Sequence, residues 1–91
     1  MSADVVMYRT PYCSYCLRAK SFLEGKGVSL REIDVSRDPA LRRAMIAKSG
    51  RSTVPQVFID GHPVGGYTDL LALDHRGELD RLLRGALEER S

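Results

Sequence analysis

The Asp60-Gly61 pair constrains this chain more than any other dipeptide in it. The pair stands between two short segments of strand-like composition, "QVFI" before it and "HPVGG" after it. Asp-Gly accepts the positive backbone angles of a two-residue reverse turn, so it predicts a tight hairpin. Pro63 has no N–H to give to a ladder, which places the second strand of that hairpin at a sheet edge. The first half of the chain has a different rhythm. Val5-Val6-Met7-Tyr8 is an apolar run expected as a buried strand. Pro11 breaks the chain, and a helix follows with Cys16, Leu17, Ala19, Phe22 and Leu23 largely on one face. Gly25 and Gly27 stop it. "VSLREIDV", residues 28–35, reads as a second strand, with Val28, Leu30 and Glu32 on one side and Ser29, Arg31 and Ile33 on the other.

A second helix is expected from Asp38 as cap and Pro39 in the first turn, with Leu41, Ala44, Met45 and Lys48 as its stripe and Gly50 at its end. Beyond the hairpin, Thr68-Asp69 is expected to cap a third helix bearing Leu70, Leu71 and Leu73, closed by Gly77. A last helix carries Leu79, Leu82, Leu83, Ala86 and Leu87 at helical spacing. The order β-α-β-α-β-β-α-α describes an α/β chain without repeats or linkers.

A length of 91 residues suits one domain over 1–91. With 43% hydrophobic and 29% charged residues the composition is that of an ordinary folded protein. A net charge of +2 gives no footing for nucleic-acid or membrane binding. No segment approaches the roughly 20 apolar residues of a membrane span, and Asp4 interrupts any leader-like start. The expectation is a cytoplasmic protein, in a compartment that keeps thiols reduced.

The two cysteines, Cys13 and Cys16, lie in "TPYCSYCLRAK" at the start of the first helix. A structural disulfide is disfavoured in a reducing compartment, and one closing so short a loop constrains the unfolded chain little. A zinc site would need further ligands. His62 and His75 lie thirteen residues apart, outside the usual His-His spacing. A redox pair fits better. Cys13 falls at the helix N-terminus, where unpaired backbone N–H groups and the positive end of the dipole favour a thiolate. Arg9 and Arg18 add positive charge nearby. Cys16, one turn inward, is expected to be the more buried thiol. Cys13 would attack, and Cys16 would resolve the mixed disulfide. Taken singly, other residues have plain readings: Pro55 an ordinary trans strand start, Gly65-Gly66 a turn, Asp69 a helix cap.

Taken together, "YCSYC", "GRSTVPQVFIDG" and "GGYTDLLALDHRGELDRLL" occur in one order over almost the whole chain, and in this the chain resembles the short bacterial dithiol glutaredoxins. The resemblance implies a thioredoxin-like fold, a four-stranded mixed sheet flanked by helices. It also implies glutathione as co-substrate. By resemblance Cys13 is the nucleophile and Cys16 the second thiol, and Tyr15 walls the glutathione groove. Thr53-Val54-Pro55 is the cis-proline loop, and Val54 pairs its backbone with the cysteinyl unit. Arg51 meets the glycyl carboxylate, while Gly66, Tyr67, Thr68 and Asp69 hold the γ-glutamyl end.

Three positions depart from the family pattern. Thr10 stands where a lysine is common, with Arg9 one step earlier as its substitute. Ser14 replaces proline between the cysteines. Tyr67-Thr68-Asp69 follows the double glycine where a cysteine and a polar pair are usual. The implied activity is reduction of protein disulfides and of protein–glutathione mixed disulfides, with ribonucleotide reductase and glutathionylated enzymes as family partners. The alternative from the Cys-Ser-Tyr-Cys motif is a [2Fe–2S] carrier, in which Cys13 of two chains and two glutathiones hold the cluster. The chain would otherwise be a monomer. A scaffold without redox chemistry has little need for both cysteines and a full peptide groove.

Overall fold

A computed structural model of the chain describes residues 3–84. The elements are β1 (Val5–Arg9), α1 (Ser14–Gly25), β2 (Leu30–Asp34), α2 (Pro39–Ser49), β3 (Gln56–Ile59), β4 (His62–Gly65), α3 (Tyr67–His75) and α4 (Glu78–Leu83). The strands form one sheet in the order β2-β1-β3-β4. β1 and β2 are parallel, with Val5 opposite Leu30 and Arg9 opposite Asp34. The β1–β3 and β3–β4 pairs are antiparallel. The expected mixed sheet is therefore present, with β1 and β3 at its centre.

Local chemistry explains each change of direction. Parallel strands need a crossover, and α1 supplies it between β1 and β2. Asp60 and Gly61 both have positive φ, 51° and 81°, as a mirror-image turn requires. Pro63 lies on β4, an edge strand. Asp38 caps α2 by accepting the Leu41 N–H at 3.1 Å, and Gly50 ends that helix with φ 75°.

The core has two parts, one on each face of the sheet. On the first face Val5, Met7, Val57 and Ile59 meet Cys16, Ala19 and Leu23 of α1, Leu70 of α3, and Leu79 and Leu83 of α4. On the other face Tyr8 and Phe58 meet Met45 of α2 and Val35. The Tyr8 and Phe58 rings meet edge to face, with centroids 5.4 Å apart. Both faces are covered, so all four residues of β3 are buried. The same layering explains the imperfect alternation in β2. Leu30 joins the first cluster and Ile33 the second.

Three expectations change. Leu17 is 58% exposed and leaves the core stripe of α1. β2 is shorter than residues 28–35, although Val28 still packs on the main core. Gly66, not Thr68 or Asp69, occupies the cap position of α3. Ala86 and Leu87, expected on the last helix, lie outside the described residues. Among the described residues, no helix is long and apolar enough to cross a membrane.

Candidate functional site

β1 delivers the chain to Cys13, and α1 begins at the next residue. Cys13 is the N-cap, with extended φ −109° and ψ 110°. Its Sγ takes the place that a serine or aspartate oxygen usually fills, accepting the Cys16 backbone N–H at 3.1 Å. The sulfur is thus met by a backbone dipole where negative charge develops during thiol chemistry. Sγ also lies 3.8 Å from the Val54 carbonyl oxygen, across 41 residues of sequence. Cys13 is half-buried, Cys16 is buried, and both thiols are free. Burial pushes the Cys16 thiol up to about 12, and its hydrogen bond with the Cys13 thiol adds to the rise. A Thr10 backbone bond and the Arg9 charge oppose that rise without cancelling it. The pair therefore consists of one approachable sulfur and one that stays a thiol at neutral pH.

A groove of about 350 Å³ opens beside Cys13. Tyr15 and Tyr67 form one wall, with ring centroids 6.1 Å apart, and the Arg18 guanidinium stacks 5.6 Å from the Tyr15 centroid. Thr53, Val54 and Pro55 form the floor with Gln56. The Val54–Pro55 bond is cis, which corrects the plain trans reading and agrees with the resemblance. Gly66, Tyr67, Thr68 and Asp69 close one end together with Arg51.

The floor loop is tied down from α2. Ser49 Oγ accepts the Arg51 N–H and donates to the Arg51 carbonyl, both at 3.1 Å. Arg42 Nη2 donates to the Ser52 carbonyl at 3.0 Å. Gln56 Nε2 donates to Thr53 Oγ1 at 3.2 Å. None of these three side chains was expected at the groove from the sequence. Gln56 left a signal, being a polar residue inside an otherwise apolar buried run. Arg42 and Ser49 left none, because their partners are main-chain carbonyl and N–H groups.

The closed end of the groove is built around Asp69. Its Oδ2 accepts from Arg51 Nη1 at 2.7 Å and from the Gly66 N–H at 2.9 Å. The Arg51 guanidinium, followed by the Gly66 N–H, holds this carboxyl below its ordinary value of 3.8. Gly65 is required beside it. Its φ is +100°, and a Cβ there would run into the Asp69 carboxylate. The structure thus gathers Tyr15, Arg51, Thr53, Val54, Pro55, Gly66, Tyr67, Thr68 and Asp69 around one groove, with Cys13 Sγ 3.8 Å from the carbonyl oxygen of Val54 in its lining. Arg9 does not line that groove. Its Nε pairs with Glu32 Oε1 at 3.1 Å, and Lys20 Nζ takes the second oxygen of the same carboxylate at 3.1 Å.

A four-stranded mixed sheet with helices on both faces, a Cys-x-x-Cys pair opening the first helix and a cis-proline loop facing it define the thioredoxin-like class. Known proteins narrow this further. The glutaredoxin family model matches residues 5–64. Glutaredoxin 3 of Escherichia coli strain K12 is 51% identical over 82 residues, covering 90% of this chain and 99% of that protein. The solution structure of glutaredoxin from Brucella melitensis superposes with a TM-score of 0.80 at 49% identity, covering 91% of this chain and 90% of that one. A crystal structure of a buckwheat glutaredoxin–glutathione complex gives a TM-score of 0.81 at 28% identity, covering 89% of this chain and 76% of that one. The chain belongs to the glutaredoxin family, whose members are thiol–disulfide oxidoreductases.

Proposed function

We propose that this chain, as a single dithiol glutaredoxin domain, is a glutathione-dependent oxidoreductase of the cytoplasm. It reduces protein disulfides and protein–glutathione mixed disulfides. The observation that carries this reading is the position of Cys13 Sγ. It accepts the Cys16 N–H in the first turn of α1 at 3.1 Å and lies 3.8 Å from the carbonyl oxygen of Val54, which lines a groove of about 350 Å³. The buckwheat relative's complex with glutathione supports the choice of ligand.

The chemistry follows from the two sulfur environments. The Cys13 thiolate attacks the glutathionyl sulfur of a mixed disulfide. The bond to the protein sulfur breaks, and that thiolate leaves and takes up a proton. Cys13 is then joined to glutathione by a disulfide. The thiolate of a second glutathione attacks the glutathionyl sulfur, forming oxidised glutathione and returning Cys13 as thiolate. In the dithiol branch Cys16 attacks the Cys13 sulfur instead. Glutathione leaves as thiolate, takes the proton that Cys16 gives up, and an intramolecular disulfide remains. Main-chain pairing at Val54, the Tyr15–Tyr67 wall and the Gly66–Asp69 end hold the peptide so that its sulfur faces Cys13.

The alternative raised by Ser14, a glutathione-bridged [2Fe–2S] carrier, meets a chain with one accessible sulfur ligand. Cys16 is buried and keeps its proton. A cluster shared by two chains and two glutathiones asks only for this one sulfur from each chain; the two dissimilar thiols beside a peptide-sized groove are what favour thiol–disulfide exchange. The test is turnover of a glutathionylated peptide. Cys13→Ser is expected to abolish it, and activity of that variant within about tenfold of the parent overturns the assignment.

A further inference from the structure

We propose that Arg42 is a positioning residue for the groove. Its guanidinium, reaching from α2, sets the orientation of the Ser52–Thr53 peptide and so holds the Thr53–Pro55 loop in the shape that receives the main chain of glutathione. Arg42 itself does not line the groove. The inference rests on the glutathione reading above and gives a part in it to a residue that touches no substrate.

The segment from Gly50 to Pro55 joins α2 to β3 and belongs to no helix or strand. No ladder fixes its backbone, so the orientation of its peptide groups depends on side-chain contacts. Three side chains act on it. Ser49 Oγ donates to the Arg51 carbonyl at 3.1 Å, and Arg42 Nη2 donates to the next carbonyl, that of Ser52, at 3.0 Å. From β3, Gln56 Nε2 holds Thr53 Oγ1 at 3.2 Å. Of these three bonds only the one from Arg42 has a charged donor, and such bonds are roughly twice as strong as neutral ones. Among the described residues the Arg42 guanidinium has no carboxylate partner, so no ion pair competes with the Ser52 carbonyl for it.

Peptide geometry carries that grip into the groove. The Ser52–Thr53 bond is trans and planar, so its carbonyl and its N–H point opposite ways. With the carbonyl drawn to α2, the Thr53 N–H is turned away from that helix. The residues that follow, Thr53, Val54 and Pro55, all line the groove. A ligand that pairs its main chain with Val54 needs this loop in one shape. Without the Arg42 bond the loop samples others, and apparent affinity falls with the fraction that stays competent. A disulfide whose small half has no peptide main chain makes no such pairing and is indifferent to the shape of the loop. Arg42 therefore bears on which substrate is recognised. It does not bear on the reactivity of Cys13, whose sulfur takes its hydrogen bond from the Cys16 N–H of α1.

The experiment compares the parent with Arg42→Met, which keeps an unbranched stem and removes the donors. One peptide carries either a glutathionyl or a cysteaminyl mixed disulfide. Reduced protein is mixed with each in single turnovers without free glutathione, so that only the attack on the mixed disulfide is read. Thermal melts first establish that both proteins are folded. On the glutathionyl peptide the second-order rate constant of Arg42→Met is expected to fall about tenfold, the size of one charged hydrogen bond. The half-saturating concentration should rise and the maximum rate stay, because the loop contact is made equally before and during reaction. On the cysteaminyl peptide, and in the rate of Cys13 alkylation by iodoacetamide, the variant should stay within about twofold of the parent. Backbone amide relaxation by NMR should show added mobility at residues 51–54 and none at residues 57–59. An equal fall on both peptides, or slower alkylation, would make Arg42 a general support of the fold and overturn the proposal. An unchanged rate on the glutathionyl peptide, or a loop as rigid as the parent's, would overturn it equally. Failure of the parent to react with the glutathionyl peptide would overturn the proposed function itself, and this role with it.

Discussion

Cys13 and Cys16 are the same side chain one helical turn apart, and their surroundings separate them. Cys13 caps a helix with its sulfur and remains half-buried, whereas Cys16 belongs to the core beside Ala19 and Leu23. With the Cys16 thiol pushed up to about 12, alkylation at neutral pH is expected almost wholly at Cys13. Peptide mapping by mass spectrometry after brief iodoacetamide treatment reads this directly. Comparable labelling of both residues in the folded protein would contradict the assignment of roles. This division was legible in the sequence, because a Cys-x-x-Cys placed after a strand and a proline puts the first sulfur at the helix start and the second inside. The pairing of Arg9 with Glu32 was not legible. Glu32 comes from a neighbouring strand, and the register of β1 against β2 is set by the whole sheet.

At the scale of elements, α3 shows how a helix cap and one end of the groove share the same atoms. The sequence suggests Thr68-Asp69 as the cap because such side chains often serve there. In the structure Gly66 takes the cap position, and the Asp69 carboxylate reaches back to its N–H from the third helical residue. Glycine has no side chain to return the bond, so Asp69 alone secures this helix start. Its carboxyl is held below 3.8 in the folded chain, so its contribution to stability is complete above the unfolded value. That contribution fades as pH falls through the lowered, folded value. Asp69→Asn is therefore expected to be less stable than the parent near neutrality and to converge with it in acid. Urea denaturation over a pH series measures the gap, and a gap unchanged down the acid limb would contradict the role given to the charge. The turns and helix ends at Asp38, Gly50 and Asp60-Gly61 were readable because each depends on a residue or two. The groove floor was not, since its shape depends on Arg42 and Ser49 reaching main-chain groups around Arg51 and Ser52.

Among the described residues the sheet has unequal covers, three helices on one face and one on the other. Leu23 lies fully buried in the larger cluster, on the helix that carries both cysteines. Leu23→Ala is expected to cost about 3 kcal/mol through lost burial and the cavity left behind. Chemical denaturation should show a lower midpoint with an unchanged slope. A cost under about 1 kcal/mol would mean that the helix is held by something other than this core. The strand and helix order could be read from apolar spacing because every central element is buried on a definite face. The direction of Arg51 could not, since it depends on which carboxylate the fold brings within reach. The aromatic wall of the groove has a practical consequence. The chain has four tyrosines and no tryptophan, and two of those tyrosines, Tyr15 and Tyr67, line the groove. Under the proposed function two of the four tyrosine fluorophores stand where substrate would bind, and the unlabelled protein is its own optical probe of occupancy.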